Sequence, residues 1–137
     1  MAKGAEVPAA IVARLRAMCL GLPEVHEEEA WVGTRWRIRT RTFAHVLRLD
    51  AGWPPGYARA AGRDGPADLL MFRSSGAELA ALRQGGEPFF GPPWRADEVG
   101  LVLGERTDWQ EVAELVTDSY CLQAPEKLAR LVERPPG

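Results

Sequence analysis

The sequence has no asparagine, two lysines, two cysteines and two histidines. Lys3 and Lys127 are the only lysines, so arginine carries nearly all the positive charge. With the high alanine content, this bias fits a GC-rich coding sequence, and arginine richness by itself marks no function. Cys19 and Cys121 lack metal-ligand spacing, and the first ten residues hold no apolar signal region. No apolar run approaches the roughly 18 residues of a membrane span. The expectation is a cytoplasmic protein with reduced thiols and no membrane partner. The net charge of −2 excludes a whole-protein field that gathers polyanions. Any nucleic-acid binding must therefore come from a local patch, because phosphate neutralisation by Lys and Arg supplies most non-specific affinity.

What is present suits one globular domain, residues 1–137, with frayed tails at about 1–7 and 134–137. An apolar fraction of 46% and a charged fraction of 26% are ordinary for such a chain. At this length about two-thirds of the unfolded surface can be hidden, so no disulfide or metal staple is required.

Pro8 reads as a first-turn proline, and Ile11, Leu15, Met18 and Leu22 recur at helical steps. This predicts a helix over Ala9–Leu20, stopped at Gly21. The acidic run Glu27-Glu28-Glu29, with His26 before it, reads as a loop. The period then changes to two. Trp36 and Ile38 alternate with Arg35, Arg37 and Arg39, which predicts a half-buried strand. Residues 42–49 read as a second strand after a turn at Thr40-Arg41. Residues 50–66, dense in Gly and Pro, read as a loop.

A third strand is expected at residues 69–72, a short helix at Gly76–Gln84 with Ser75 as N-cap, and a loop at residues 85–93. Alternation at Val99, Leu101 and Leu103 predicts a fourth strand. Thr107 with Gln110 fits a capping box ahead of a helix over residues 108–120. A last short helix follows Pro125. Short connections between adjacent strands argue for antiparallel pairing in an α+β fold.

Three features bear on function. Arg35, Arg37 and Arg39 fall on one side of a strand, roughly 6.5–7 Å apart, near the phosphate spacing of a nucleic-acid strand. Arg41 in the following turn joins them. Trp31, Trp36 and Trp53 lie close in sequence and offer rings for base stacking. The same charges also fit a solvated outer face neutralised by Glu27, Glu28 and Glu29. The second feature is an aromatic loop of Phe89, Phe90 and Trp94 which, with Trp53, could line a cleft for a protein or small ligand. The third is a thin catalytic inventory. His45 shares a face with Phe43, Leu47 and Leu49 and reads as a core or interface residue. Ser74, Ser75 and Ser119 stand in no nucleophile elbow, and there is no phosphate-binding glycine loop. Cys121 lies near a helix C-terminus, which does not activate a thiol. No catalytic residue, cofactor or metal is therefore assigned, and the expectation is a protein that is not an enzyme.

Several segments taken together resemble the MmcQ/YjbR family, small bacterial proteins of unknown function. They are Leu22-Pro23-Glu24-Val25, Trp36-Arg37-Ile38, Thr42-Phe43-Ala44, Asp108-Trp109-Gln110-Glu111-Val112 and the block from Ser119 to Leu128. The chain departs from the family pattern at Cys121, where an arginine is common. It departs again at Glu98-Val99-Gly100, where Gly-Trp-Val is expected. The resemblance implies a two-layer sandwich with an antiparallel sheet packed by helices, similar to the frataxin-like fold, and a DNA-binding label. It supplies no catalytic residues. The first functional expectation is weak DNA binding through the basic hairpin of Arg35, Arg37, Arg39 and Arg41. The alternative is a small-ligand or protein-interaction module using Trp53, Phe89, Phe90 and Trp94.

Overall fold

A computed structural model describes residues 5–132. Among them, six strands and five helices follow in the order α1 (Ala9–Leu20), β1 (Val25–Glu29), β2 (Thr34–Ile38), β3 (Arg41–Leu49), α2 (Pro55–Ala61), β4 (Ala67–Arg73), α3 (Gly76–Gln84), β5 (Phe89–Phe90), β6 (Glu98–Leu103), α4 (Trp109–Gln123) and α5 (Glu126–Ala129). The strands form one antiparallel sheet in the order β1-β2-β3-β4-β6-β5. This is the α+β fold with an antiparallel sheet that the sequence leads one to expect. The tail residues 1–4 and 133–137 lie outside the described residues.

Cross-strand partners share a face, so the register sorts the side chains. One row runs Glu27–Trp36–Ala44–Phe72–Val99. It belongs to the larger core, where Leu15 and Cys19 of α1, Val112, Leu115, Val116 and Tyr120 of α4, and Leu128 of α5 cover the sheet. The next row runs Glu28–Arg35–His45–Met71–Gly100–Phe90 on the opposite face. There a smaller core forms from Val32, Leu47, Leu49, Ala58, Leu69 and Met71. The helix α2 covers only part of this second face.

Between the pairs Trp36–Ala44 and Arg37–Thr42 the register shifts, leaving Phe43 as an extra residue on β3. This β-bulge turns the Phe43 ring into the larger core, edge-on to Tyr120 at 5.4 Å. It therefore separates Phe43 from His45, which strict alternation had placed on one face.

Other departures have local causes. The acidic run is not a loop but edge strand β1, because its charges find partners on both faces of the sheet. Glu27 accepts from Arg16 at 2.9 Å and from the Trp36 indole at 2.8 Å, and Glu28 accepts from Arg35 Nε at 2.7 Å. Residues 50–66 contain α2. Pro54 and Pro55 stand at its N-cap and first turn, and Gly62 closes it at φ 69°. The residues that read as loop punctuation are thus helix ends. The 85–93 loop contains β5, only two residues long. For α4 the N-cap is Asp108, which accepts from the backbone of Gln110 and Glu111, while the Thr107 hydroxyl accepts from Gly104 N. Ser75 caps α3 by position but makes no side-chain cap bond.

Candidate functional site

On the second face, beyond the cover of α2, lies an open hollow of about 260 Å³. It is lined by the aromatic residues Trp31, Tyr57 and Trp94 together with Arg35, Arg73, Arg95, His45 and Glu98. It runs into a polar trough of about 510 Å³ lined by Arg35, Arg37, Arg41, Arg73 and Arg95. Arg35, Thr42, Arg73 and Arg95 line both, so the two form one groove.

Strands β2, β3, β4 and β6, helix α2 and the segments 30–33 and 91–97 build it. Arg35 and Arg37 project from β2, where the period-two pattern placed them. Arg73 ends β4, one parity with Met71. Arg95 and Trp94 come from the 91–97 segment, and Tyr57 from α2. Arg73 N–H donates to Ser119 Oγ at 2.8 Å, and the Ser119 hydroxyl donates to Phe43 O at 2.6 Å. Phe43 and Arg73 are the pair that would follow Ala44–Phe72 in the β3–β4 register. The bulge interrupts that pair, and the buried serine of α4 restores the link between its backbone groups.

Five guanidinium groups in the trough meet three carboxylates. Arg35 and Arg37 share Glu28, whose carboxyl is held below the usual range chiefly by the Arg35 hydrogen bond. Arg37 also donates to Thr40 O, and its buried Nε has no protein partner. Arg73 pairs with Asp97 at 3.1 Å, and Arg95 lies 3.9 Å from Glu98. Arg41 reaches the Gln123 amide oxygen at 3.5 Å.

In the hollow, the Trp94 indole N–H donates to Glu98 at 2.9 Å. Burial pushes the Glu98 carboxyl above its ordinary range, and the same cause raises the Tyr57 hydroxyl. His45 Nε2–H donates to Val32 O at 2.6 Å. A carbonyl only accepts, so Nδ1 of the neutral ring is left as an acceptor. Burial, then nearby Arg35, lowers the His45 pKa and keeps the ring neutral. The rings of Trp94 and Tyr57 meet edge-on at 5.0 Å, and Tyr57 meets His45 at 6.2 Å.

The structure divides the residues singled out in the sequence. Arg35, Arg37 and Arg41 line the trough. Arg39 does not: it takes φ 57° beyond the end of β2 and pairs with Glu24 at 3.3 Å. Trp94 lines the hollow. Trp53 packs on Trp31 at 5.4 Å in the smaller core. Phe89 packs on the larger core, Phe90 covers Gly100, and Trp36 is fully buried. Arg73, Arg95, Tyr57 and Glu98 had no sequence signal that tied them to the hairpin. Glu27 and Glu28 point to opposite faces, and among the described residues no three His, Cys, Asp or Glu side chains converge as metal ligands. No helix among those residues is long and apolar enough to cross a membrane.

The family model described as YjbR matches residues 20–122. The chain belongs to the YjbR family. The groove's arginines and its three aromatic residues lie within that match. No curated protein matches the chain. A crystal structure of a protein from Pseudomonas syringae, from a structural genomics programme, is similar in fold. Its TM-score is 0.51 at 14% identity, over 74% of this chain and 79% of that one.

The block from Ser119 to Leu128 that carries the YjbR resemblance has structural work in this chain. Ser119 bridges the bulge, and the Tyr120 hydroxyl donates to Pro23 O at 2.7 Å. Cys121 is half-buried on α4. Cys19 is fully buried, and burial drives its thiol pKa far up, so it is no nucleophile.

Proposed function

We propose that this YjbR chain is a binding module that holds single-stranded nucleic acid weakly along the arginine-lined groove. One observation carries the reading: the basic lining does not stop at the hairpin but continues through Arg73 and Arg95, with five cations against three carboxylates. Of the three acidic residues in β1, only Glu28 faces Arg35 and Arg37. Arginine forks suit phosphate oxygens. The groove is recessed into the sheet face, which suits a strand whose bases are free to turn inward rather than a stacked duplex. The net charge of −2 opposes long-range attraction, so affinity in the range of non-specific binding, roughly 10⁻⁴–10⁻⁶ M, is expected.

The test is an anisotropy titration with labelled single-stranded and duplex DNA from about 50 to 200 mM salt. Net neutralisation of about two to three phosphates gives a log–log salt slope of about −1.4 to −2.1 for a single strand. Binding is expected to favour the single strand and to be lost in the Arg35/Arg37/Arg41→Ala variant. Absence of binding at about 50 mM salt, or unchanged binding in that variant, overturns the reading.

A further inference from the structure

We infer that the aromatic hollow is a subsite for one unpaired nucleobase, so that the groove recognises a nucleotide: a flat heterocycle joined to phosphate. This rests on the groove being a nucleic-acid site and adds what its two halves do.

The polarity along the groove carries the argument. One end is lined by Trp31, Tyr57 and Trp94, the other by Arg37 and Arg41, and Arg35, Arg73 and Arg95 stand between. A nucleotide has the same order, from a π-faced ring to an anion. The size agrees. At about 260 Å³ the hollow is smaller than the roughly 300–1,000 Å³ pockets that enclose a whole drug-sized ligand. It has room for a ring whose phosphate leaves through the open side.

The rings are also displayed rather than hidden. Trp31 is 71% exposed and Trp94 45% exposed, and both line one concavity. Large exposed aromatics grouped around a hollow mark a binding site more often than scattered surface residues do. The floor supplies polar edges beside the ring faces. Glu98 accepts hydrogen bonds, His45 has a free acceptor nitrogen, and Arg73 and Arg95 donate. A base edge presents both donors and acceptors, whereas an aliphatic or plain aromatic ligand would leave these groups unmatched.

The experiment compares four probes on the full chain. They are an eight-nucleotide single strand, the same strand with every base replaced by an abasic unit, a nucleoside monophosphate, and inorganic phosphate. Stacking of one base corresponds to about fivefold to a hundredfold in affinity. The base-bearing strand is therefore expected to bind at least fivefold tighter than the abasic strand. Trp94→Ala should bring the affinity of the base-bearing strand toward that of the abasic strand, while Trp94→Phe should keep most of the difference. Arg35→Ala should weaken both strands alike. Melting curves confirm that each variant is folded.

If the abasic strand binds as tightly as the base-bearing one and Arg35→Ala weakens both, the base subsite is wrong and the arginine groove stands. If neither strand binds but the monophosphate does, dependent on Trp94 and more tightly than phosphate, the subsite stands for a free nucleotide and the strand reading fails. If no probe binds, both fall.

Discussion

Replacing Ser119 with alanine tests whether the interrupted β3–β4 ladder depends on a side chain from α4. The Ser119 hydroxyl is fully buried and makes two bonds, donating to Phe43 O at 2.6 Å and accepting from Arg73 N at 2.8 Å. Alanine removes both at once and lets no water in, because the site lies under the packed α4. The volume lost is one oxygen, so the cavity contribution is small. What decides the magnitude is the two stranded backbone groups. A buried donor or acceptor left without a partner costs about 1–3 kcal/mol, so with two stranded groups the variant should lose about 2–6 kcal/mol. For a chain of this size 1 kcal/mol moves the melting temperature by roughly 3–4 °C, giving a drop of about 6–24 °C. Urea denaturation read by tryptophan fluorescence and by circular dichroism measures it. The urea m-value should stay unchanged, since no element unfolds. Ser119→Thr keeps the hydroxyl but adds a methyl to a filled site, so it should recover only part. A loss under about 0.5 kcal/mol for Ser119→Ala would mean that β3 and β4 close the gap themselves, and the bridging argument would be refuted.

Two further outcomes follow from the second sheet face. A Cβ on Gly100 would stand 2.1 Å from the Phe90 ring, so Gly100→Val should cost about 1–3 kcal/mol, and much less in a Phe90→Ala background. An equal cost in both backgrounds, read from urea midpoints, would show that Phe90 is not the obstacle. Burial raises the Glu98 pKa above its ordinary 4.5, so the folded chain holds that proton more tightly than the unfolded chain. Its contribution to stability is therefore greatest below pH 4.5 and falls as pH rises through the raised value. Glu98→Gln should lack this fall, so the variant should gain on the wild type as pH rises above 4.5. Parallel stability–pH curves would count against it.

The elements legible in the sequence are those whose burial follows a regular period. Helices α1 and α4 show their stripes, and β2 and β3 their alternation. The misses have one physical form: a local signal reversed by a distant partner. Glu27 and Glu28 read as a solvated run, yet Arg16, Trp36, Arg35 and Arg37 turn that run into a strand. Pro54, Pro55 and Gly62 read as breaks and are the two ends of α2. Because α2 was hidden, so was Tyr57, and with it the aromatic wall facing Trp94. The site was half visible for the same reason. Arg35 and Arg37 announce themselves by spacing two apart. Arg73 and Arg95 join them only because β4 is laid beside β3 and β6 beside β4, which no local pattern records. The departure at Gly100 also has its answer across the sheet, where the Phe90 ring occupies the space that a side chain there would fill.

The bulge at Phe43 connects these facts. Without it, Phe43 would alternate away from Tyr120, and the two rings that join β3 to α4 would part. With it, the ladder lacks one pair where Arg73 must be held, and Ser119 fills the gap. The Ser119–Tyr120 pair thus fixes β3 through Phe43, the turn after α1 through Pro23 O, and the end of β4 through Arg73 N. In the block from Ser119 to Leu128, Ser119 and Tyr120 pack in the core while Gln123 reaches the edge of the trough, and Ser119 sets where a groove arginine begins. A structural role therefore predicts a specific pattern. Ser119→Ala should lower stability strongly, and weaken nucleic-acid binding only as far as Arg73→Ala does in a background that is already folded. If Ser119→Ala abolished binding while the melting temperature held, Ser119 itself would touch the ligand, and the groove would be the wrong face.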